Sequence, residues 1–160
     1  MMLPSLRAAG VAALVFCSSA VAQVPAAAPA PVDLAKVQQI VGSWNYAAVP
    51  GGTQAAFIDS TANARLILRC TRTTRLVTLT RPSTPVAATA ILVTTSFGGR
   101  PLPASYDAAH NLTASVTAAD PLLDDIALSR GRFAISSAGS SALVVPAWGE
   151  VSRVIEDCRN

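Results

Sequence analysis

The chain is poor in lysine, histidine and closely spaced cysteines, and each scarcity excludes a kind of active site. Among its 160 residues, Lys36 is the only lysine and His110 the only histidine. It has no Ser-x-x-Lys, Gly-x-Ser-x-Gly or Cys-x-x-Cys motif and no Gly-rich phosphate loop. The common serine hydrolase, dithiol and phosphate-loop sites are therefore excluded. His110 lies in a segment typical of a surface turn, and metal ligands are scarce once the cysteines are used in a disulfide. We therefore predict no catalytic residue, metal site or cofactor.

A strong net charge is also absent. The sequence has 12 lysines and arginines against 9 aspartates and glutamates, a formal net charge of +3 at pH 7. That excess is too small to indicate a nucleic-acid partner. Hydrophobic residues make up 51% of the chain, but no apolar run long enough to span a bilayer follows the N-terminal segment. We expect no transmembrane span in the mature protein.

The first 22 residues have the pattern of a cleavable bacterial signal peptide. One positive charge, Arg7, precedes an apolar stretch at residues 8–16 that is too short to span a bilayer. The small residues Ala20 and Ala22 then predict cleavage after Ala22. The alternative is a lipid anchor, because the segment ending in Cys17 is similar to a lipobox. We expect a periplasmic or secreted protein.

Loss of the signal peptide leaves two cysteines, Cys70 and Cys158. Two remaining thiols in an oxidising compartment usually pair. We therefore predict a structural Cys70–Cys158 disulfide. It would close a long loop and stabilise the fold by about 4.5 kcal/mol in the chain-entropy account.

Composition divides the chain into three regions. These are the signal peptide at residues 1–22, a Pro/Ala-rich linker at 23–32 and a single globular domain at 33–160. At the start of the domain Asp33 can cap a short helix, because Leu34, Val37 and Val41 recur at helical spacing.

Most of the domain alternates apolar and polar residues with a period of two, which is typical of strands. The sequence predicts strands at 43–49, 55–59, 65–71, 75–81, 89–96, 112–117, 132–136 and 142–145. In the third strand Leu66, Leu68 and Cys70 share one face, so Cys70 is expected to point toward the core. The Gly- and Pro-containing segment 97–101 predicts a break between strands.

Two helices are predicted late in the chain. Asp120 and Pro121 are typical of a helix start, and Gly131 of a stop, which gives a helix near 121–130. A final helix begins near Pro146 and carries Cys158 on its core-facing side. The predicted fold class is α+β: an antiparallel, curved or sandwich-like sheet with the C-terminal helix docked by the disulfide. A compact β-sandwich with helical additions is the alternative.

Four arginines, Arg65, Arg69, Arg75 and Arg81, are the candidate binding residues. On adjacent strands their guanidinium groups could form a basic stripe that binds carboxylates or phosphates through bidentate contacts. The alternative is a solvent-facing surface with local ion pairs. The carboxylates considered for such pairs are those of Asp59, Glu150 and Asp157.

A carboxylate pair is the rival, enzymatic hypothesis. Asp120 and Asp124 lie one helical turn apart, and hydrolases can divide acid and base work between two carboxylates. The alternative assigns Asp120 to a helix cap and Asp124 to a solvated helix face. Trp44 and Trp148 are expected to be core anchors rather than ligand platforms.

Trp44, the strand residues 66–70 and the closing segment 154–158 carry a resemblance to known proteins. Over residues 42–158 the chain resembles small bacterial envelope proteins associated with type VI secretion and, more loosely, the invasion-associated locus B family. The segment 120–133 is similar to a signature of uncharacterised alphaproteobacterial secreted proteins. These resemblances imply bacterial export and a non-enzymatic role, and they transfer no catalytic residue.

The sequence thus predicts a non-catalytic exported module that binds a protein or an anionic envelope polymer through its arginine face. The alternatives are a small hydrolase using the Asp120/Asp124 region and an envelope protein with a chiefly structural role. A concave pocket with converging aspartates would favour the enzyme, and a flat arginine-lined sheet would favour the binding module.

Overall fold

The computed structural model describes residues 30–85 and 87–160. The predicted signal peptide, Cys17 and linker residues 23–29 lie outside the described residues. The described chain forms nine strands and two helices. In order these are β1 (Gly42–Val49), β2 (Gly52–Asp59), β3 (Ala64–Thr71), β4 (Leu76–Arg81), β5 (Ala90–Thr95), β6 (Gly98–Tyr106), β7 (Leu112–Thr117), α1 (Pro121–Ala127), β8 (Arg132–Ser137), β9 (Ser140–Pro146) and α2 (Gly149–Arg159).

All nine strands join one curled antiparallel sheet in the order β1-β2-β3-β4-β7-β6-β5-β8-β9. The first four strands form a meander of hairpins. β6 divides its pairing, since residues 98–103 pair with β5 and residues 104–106 pair with β7. The sheet therefore passes from its first half to its second half along β6. The predicted α+β class is confirmed.

The curl brings the two edges of the sheet together. Just before β1, the Ile40 amide donates to the Val144 carbonyl of β9 at 3.0 Å. Within β1, the Trp44 indole Nε1 donates to the Pro146 carbonyl at 2.8 Å. These two bonds hold the edges of the curled sheet against each other.

α2 packs against the inner face of β1 to β4. Its buried residues, Val151, Val154, Ile155 and Cys158, recur at the spacing of one helical face. Cys158 forms the predicted disulfide with Cys70, with the two Cα atoms 5.4 Å apart. Both the disulfide and the docked C-terminal helix are thus confirmed. In residues 30–85 and 87–160 no helix is long and apolar enough to cross a membrane.

α1 begins as predicted and ends three residues early. The Asp120 Oδ1 accepts from the Leu122 amide at 2.9 Å, which is the predicted cap, and Pro121 is the first helical residue. The helix ends at Ala127, and in the turn that follows the Ser129 hydroxyl donates to the Arg132 carbonyl at the start of β8.

The predicted helix at residues 34–41 is wrong. Asp33 does form a cap, since its Oδ1 accepts from the Ala35 amide at 3.0 Å, but only one turn follows. The chain then runs toward β9, where the Ile40 amide finds its partner. A helix this short gains too few bonds to offset its nucleation, so pairing with the sheet edge is preferred.

β6 lies where the sequence predicts a break. It contains Pro101 and Pro103, which usually argue against a paired strand. The Ala104 amide points toward β5, where it donates to the Thr89 carbonyl at 2.9 Å. Backbone nitrogens of successive residues point to opposite sides of a strand, so those of Pro101 and Pro103 point away from β5. On that side β7 pairs only with residues 104–106, and no ladder bond is lost.

Candidate functional site

The four candidate arginines do not share one surface. Arg65 and Arg69 face outward from β3, whereas Arg81 lies on the core face of β4 and is 7% exposed. Arg75 lies in the turn between these strands. In the β3–β4 register Arg69 lies opposite Thr78, so both lie on the outer face. Side chains alternate between the two faces along β4, and Arg81, three residues after Thr78, therefore lies on the inner face. A continuous stripe of four is therefore not formed.

Arg65 and Arg69 make local contacts. Arg65 Nη1 lies 3.4 Å from Asp59 Oδ2, and Arg69 Nη2 donates to the Pro50 carbonyl at 2.8 Å. The local ion pair expected with Asp59 is thus present. The Asp157 carboxylate instead accepts from the Tyr46 hydroxyl at 2.6 Å.

Arg81 links the two halves of the sheet. Its Nη2 donates to the Ser141 carbonyl of β9 at 2.7 Å. Its Nη1 is buried and has no hydrogen-bond partner among the described residues. Burial is the main reason that the pKa of Arg81 is lowered, and the nearby charge of Arg65 adds to it. This arginine therefore acts as a structural bridge on the core face.

Arg75 lies in an open depression of about 650 Å³ where the β3–β4 turn, the end of β7 and the two helices meet. We call this the helix-bearing end. The polar side chains that line the depression are Thr74, Arg75, Thr117, Asp124 and Arg159. The depression thus combines one arginine of the binding hypothesis with one aspartate of the enzymatic hypothesis.

Arg159 is held from three directions. Its Nη1 lies 2.8 Å from Asp124 Oδ1 and 3.4 Å from Glu156 Oε1, and its Nε donates to the Ala118 carbonyl at 2.9 Å. The hydrogen bond to Asp124 is the main reason that the pKa of Arg159 is raised. Asp124 and Glu156 together offset the charge of this guanidinium.

Arg75 is positioned by backbone contacts. Its Nη2 donates to the Arg159 carbonyl at 2.7 Å, and its own carbonyl accepts from the Ala118 amide at 2.8 Å. Its φ of 51° lies in the left-handed region, which is unfavourable for a residue with a Cβ atom. The turn holds this conformation because both ends of the residue are bonded.

The disulfide lies next to both sides of the depression. Arg159 follows Cys158 directly, and Arg75 precedes Leu76, whose carbonyl oxygen lies 3.5 Å from Cys158 Sγ. A disulfide sulfur carries no proton, so this is a packing contact. Arg159 was not predicted from the sequence. One signal was available, because Arg159 follows Cys158, and Cys158 was expected to pair with Cys70 in the strand that leads to Arg75.

Asp120 and Asp124 do not converge. Asp120 Oδ2 accepts from Arg100 Nη2 at 2.7 Å, while Asp124 pairs with Arg159. The Arg100 hydrogen bond holds the pKa of Asp120 below its ordinary value. A carboxylic acid that donates a proton in catalysis needs a raised pKa, so Asp120 is unsuited to that role. Asp120 forms the predicted cap, whereas Asp124 pairs with Arg159 instead of lying on a merely solvated helix face.

The stability of the fold should depend on Asp120 at acid pH. Because its pKa is lower in the folded state, its contribution is complete above the unfolded value of about 3.9 and is lost as pH falls through the folded value. We expect Asp120→Asn, which retains a capping oxygen, to lose stability relative to wild type at pH 7 and much less at pH 2. Urea unfolding at both pH values measures this difference. A difference independent of pH would contradict the prediction.

His110 lies in the predicted surface turn, between β6 and β7. The Tyr106 hydroxyl donates to the Thr84 carbonyl at 2.9 Å and lies 2.5 Å from His110 Nδ1. Since the hydroxyl proton is used on Thr84, His110 donates from Nδ1. The Asp107 carboxylate accepts from the Ala109 and Asn111 amides and closes the turn. This histidine thus has a structural role.

The two tryptophans have different environments. Trp44 is buried, as predicted for a core anchor. Trp148 is exposed at the start of α2, so the prediction that it anchors the core is wrong. Its place immediately before the helix leaves the indole outside the face that α2 buries.

Comparison of the chain with protein-family models, curated proteins and solved structures finds no match. Its function must therefore be inferred from its own residues and geometry.

Proposed function

We propose that the chain is an exported, non-catalytic binding module that holds an anionic group in the depression beside Arg75 and Arg159. The group would be a carboxylate or phosphate of an envelope protein or polymer. The supporting observation is that two guanidinium groups and two threonine residues line one open depression of about 650 Å³. Guanidinium and hydroxyl groups are donors that proteins commonly use for these anions.

Arg75 supplies the positive charge that remains for a ligand. Arg159 already pairs with Asp124 and Glu156. Arg75 donates to a backbone carbonyl, and no carboxylate of the described chain forms an ion pair with it.

Export of the mature protein is part of the proposal. The Cys70–Cys158 disulfide supports it, because disulfides form and persist in oxidising compartments. The signal-peptide pattern of residues 1–22 supports a periplasmic or secreted location.

Arg75→Asn tests the anion site. Asparagine tolerates the left-handed conformation, so the fold should be retained while the charge is removed. A charge-assisted hydrogen bond is worth about 1.5–3 kcal/mol, so we expect affinity for carboxymethyl-dextran or polyphosphate to fall roughly 10- to 100-fold. Isothermal titration calorimetry measures the loss, and uncharged dextran controls for binding of the polymer backbone.

The matched control is Arg72→Asn. Arg72 is an exposed arginine of the same turn and does not line the depression. Its removal lowers the net charge equally, so we expect affinity within about threefold of wild type. Equal losses in the two variants would show only general charge attraction. Absence of wild-type binding to both polyanions would also overturn the proposal.

A further inference from the structure

Three large hydrophobic side chains are exposed near the helices. Phe97 is 59% exposed, Leu128 is 69% exposed and Trp148 is 45% exposed. One follows β5, one follows α1 and one precedes α2. Val41, another exposed apolar residue, lies elsewhere, beside Asp59 and Arg65. Exposed apolar side chains that lie close together mark interaction sites more often than isolated ones do.

Hydrogen bonds join the loops that carry these three side chains. The Ser96 amide donates to the Ser129 hydroxyl at 3.0 Å, and the Arg130 amide donates to the Ser96 hydroxyl at 3.1 Å. The Ala147 amide donates to the Gly131 carbonyl at 3.2 Å. The segments 95–99, 127–132 and 146–149 are therefore neighbours, and we call them together the loop surface.

The loop surface carries arginine as well as apolar side chains. Its segments contain Arg130 and Arg132. Asp33, which pairs with Lys36, lies beside Arg130 in the neighbouring depression, and Glu150 follows the last segment. Arg130 is exposed, whereas Arg132 Nη1 donates to the Leu34 carbonyl at 3.4 Å. Aromatic and leucine side chains combined with arginine are typical of protein segments that lie in the interface of a bilayer.

We propose that the loop surface docks the protein onto an anionic lipid bilayer. Phe97, Leu128 and Trp148 enter the headgroup region, and Arg130 contacts lipid phosphates. The three apolar side chains line neither the depression at Arg75 nor the smaller one beside Arg130. The three side chains lie in separate loops. A fluid lipid interface can accept them there, whereas a folded protein partner would need a surface of complementary shape. This docking involves residues other than the anion site and does not depend on it.

Tryptophan fluorescence makes the docking measurable. The chain has two tryptophans, and Trp44 is buried, so a change caused by lipid reports mainly on Trp148. The purified protein without its signal peptide is mixed with vesicles of phosphatidylglycerol and phosphatidylcholine. We expect co-flotation, a blue shift and protection from iodide quenching. With pure phosphatidylcholine we expect at least about fivefold weaker binding, because anionic lipid attracts arginine.

Matched variants separate the loop surface from general adhesion. Phe97→Ser combined with Leu128→Ser should weaken vesicle binding at least about tenfold, because two apolar side chains no longer enter the interface. Val41→Ser, which removes an exposed apolar residue elsewhere, should leave it within about twofold of wild type. Near-ultraviolet circular dichroism checks that each variant is folded.

Two outcomes would overturn the docking proposal. One is an absence of wild-type co-flotation, which would leave a protein as the partner of the loop surface. The other is equal binding by wild type and the Phe97/Leu128 variant. Arg75→Asn should retain vesicle binding. Loss of binding in that variant alone would instead show that the Arg75 depression holds the lipid headgroup.

Discussion

Replacement of both Cys70 and Cys158 with serine is expected to lower the free energy of unfolding by about 4.5 kcal/mol. The two residues are 88 positions apart, and a crosslink over such a loop removes much of the conformational entropy of the unfolded chain. Net stabilities of domains are about 5–15 kcal/mol, so the loss is a large part of the whole. We expect the melting temperature to fall on the order of 15 °C.

Urea unfolding under non-reducing conditions measures this effect. Wild-type protein treated with dithiothreitol is the parallel sample and should lose a similar free energy. The double-serine variant should not respond to dithiothreitol, which controls for other actions of the reductant. A loss below about 1 kcal/mol would contradict the prediction and would indicate that packing of α2 alone holds the fold.

The disulfide should also matter for the anion site. Arg159 follows Cys158, and its carbonyl is the acceptor that positions Arg75. Release of the end of α2 should therefore weaken polyanion binding. Arg75→Asn is the comparison, because it should weaken binding at nearly normal stability, whereas the double-serine variant should lose both.

Trp44→Ala is expected to lower the free energy of unfolding by about 4 kcal/mol. The indole is 6% exposed, with its ring centroid 5.3 Å from that of Phe57 and 6.4 Å from that of Phe133. Its Nε1 also donates to the Pro146 carbonyl across the edges of the curled sheet. Truncation therefore leaves a cavity and a buried acceptor without its partner.

Two further variants divide the effect of Trp44→Ala. Trp44→Phe retains an aromatic ring and removes the bond to Pro146, so we expect a loss of about 1–2 kcal/mol. Trp148→Ala removes the exposed indole and should change stability by less than about 1 kcal/mol. Chemical denaturation measures all three. Equal losses for the two alanine variants would contradict the assignment of Trp44 alone to the core.

Local sequence patterns predicted most of the secondary structure. The predicted strands before residue 97 and after residue 111 correspond to β1–β5 and β7–β9, with ends shifted by a few residues. Their alternation was visible because each strand has one buried face. β6 was not predicted, because prolines usually argue against a strand. They fit here because their nitrogens point away from β5, toward a side where β7 pairs only with residues 104–106.

The candidate site was less predictable, because it depends on register and docking. Arg69 and Arg81 were expected on one surface, but the pairing of Arg69 with Thr78 places them on opposite faces. Arg75 and Arg159 are 84 positions apart, and no local pattern connects them. They meet because α2 is docked on the sheet with its last turn beside the β3–β4 turn.

The sequence by itself determined the period-two strands, the capped α1 and the single disulfide. Each of these depends on neighbouring residues or on the number of cysteines that remain after the predicted cleavage. Only the tertiary structure decided which charged side chains meet. Arg75, Asp124 and Arg159 come from a turn and two helices, and they line one depression only after the sheet has curled and α2 has packed against it.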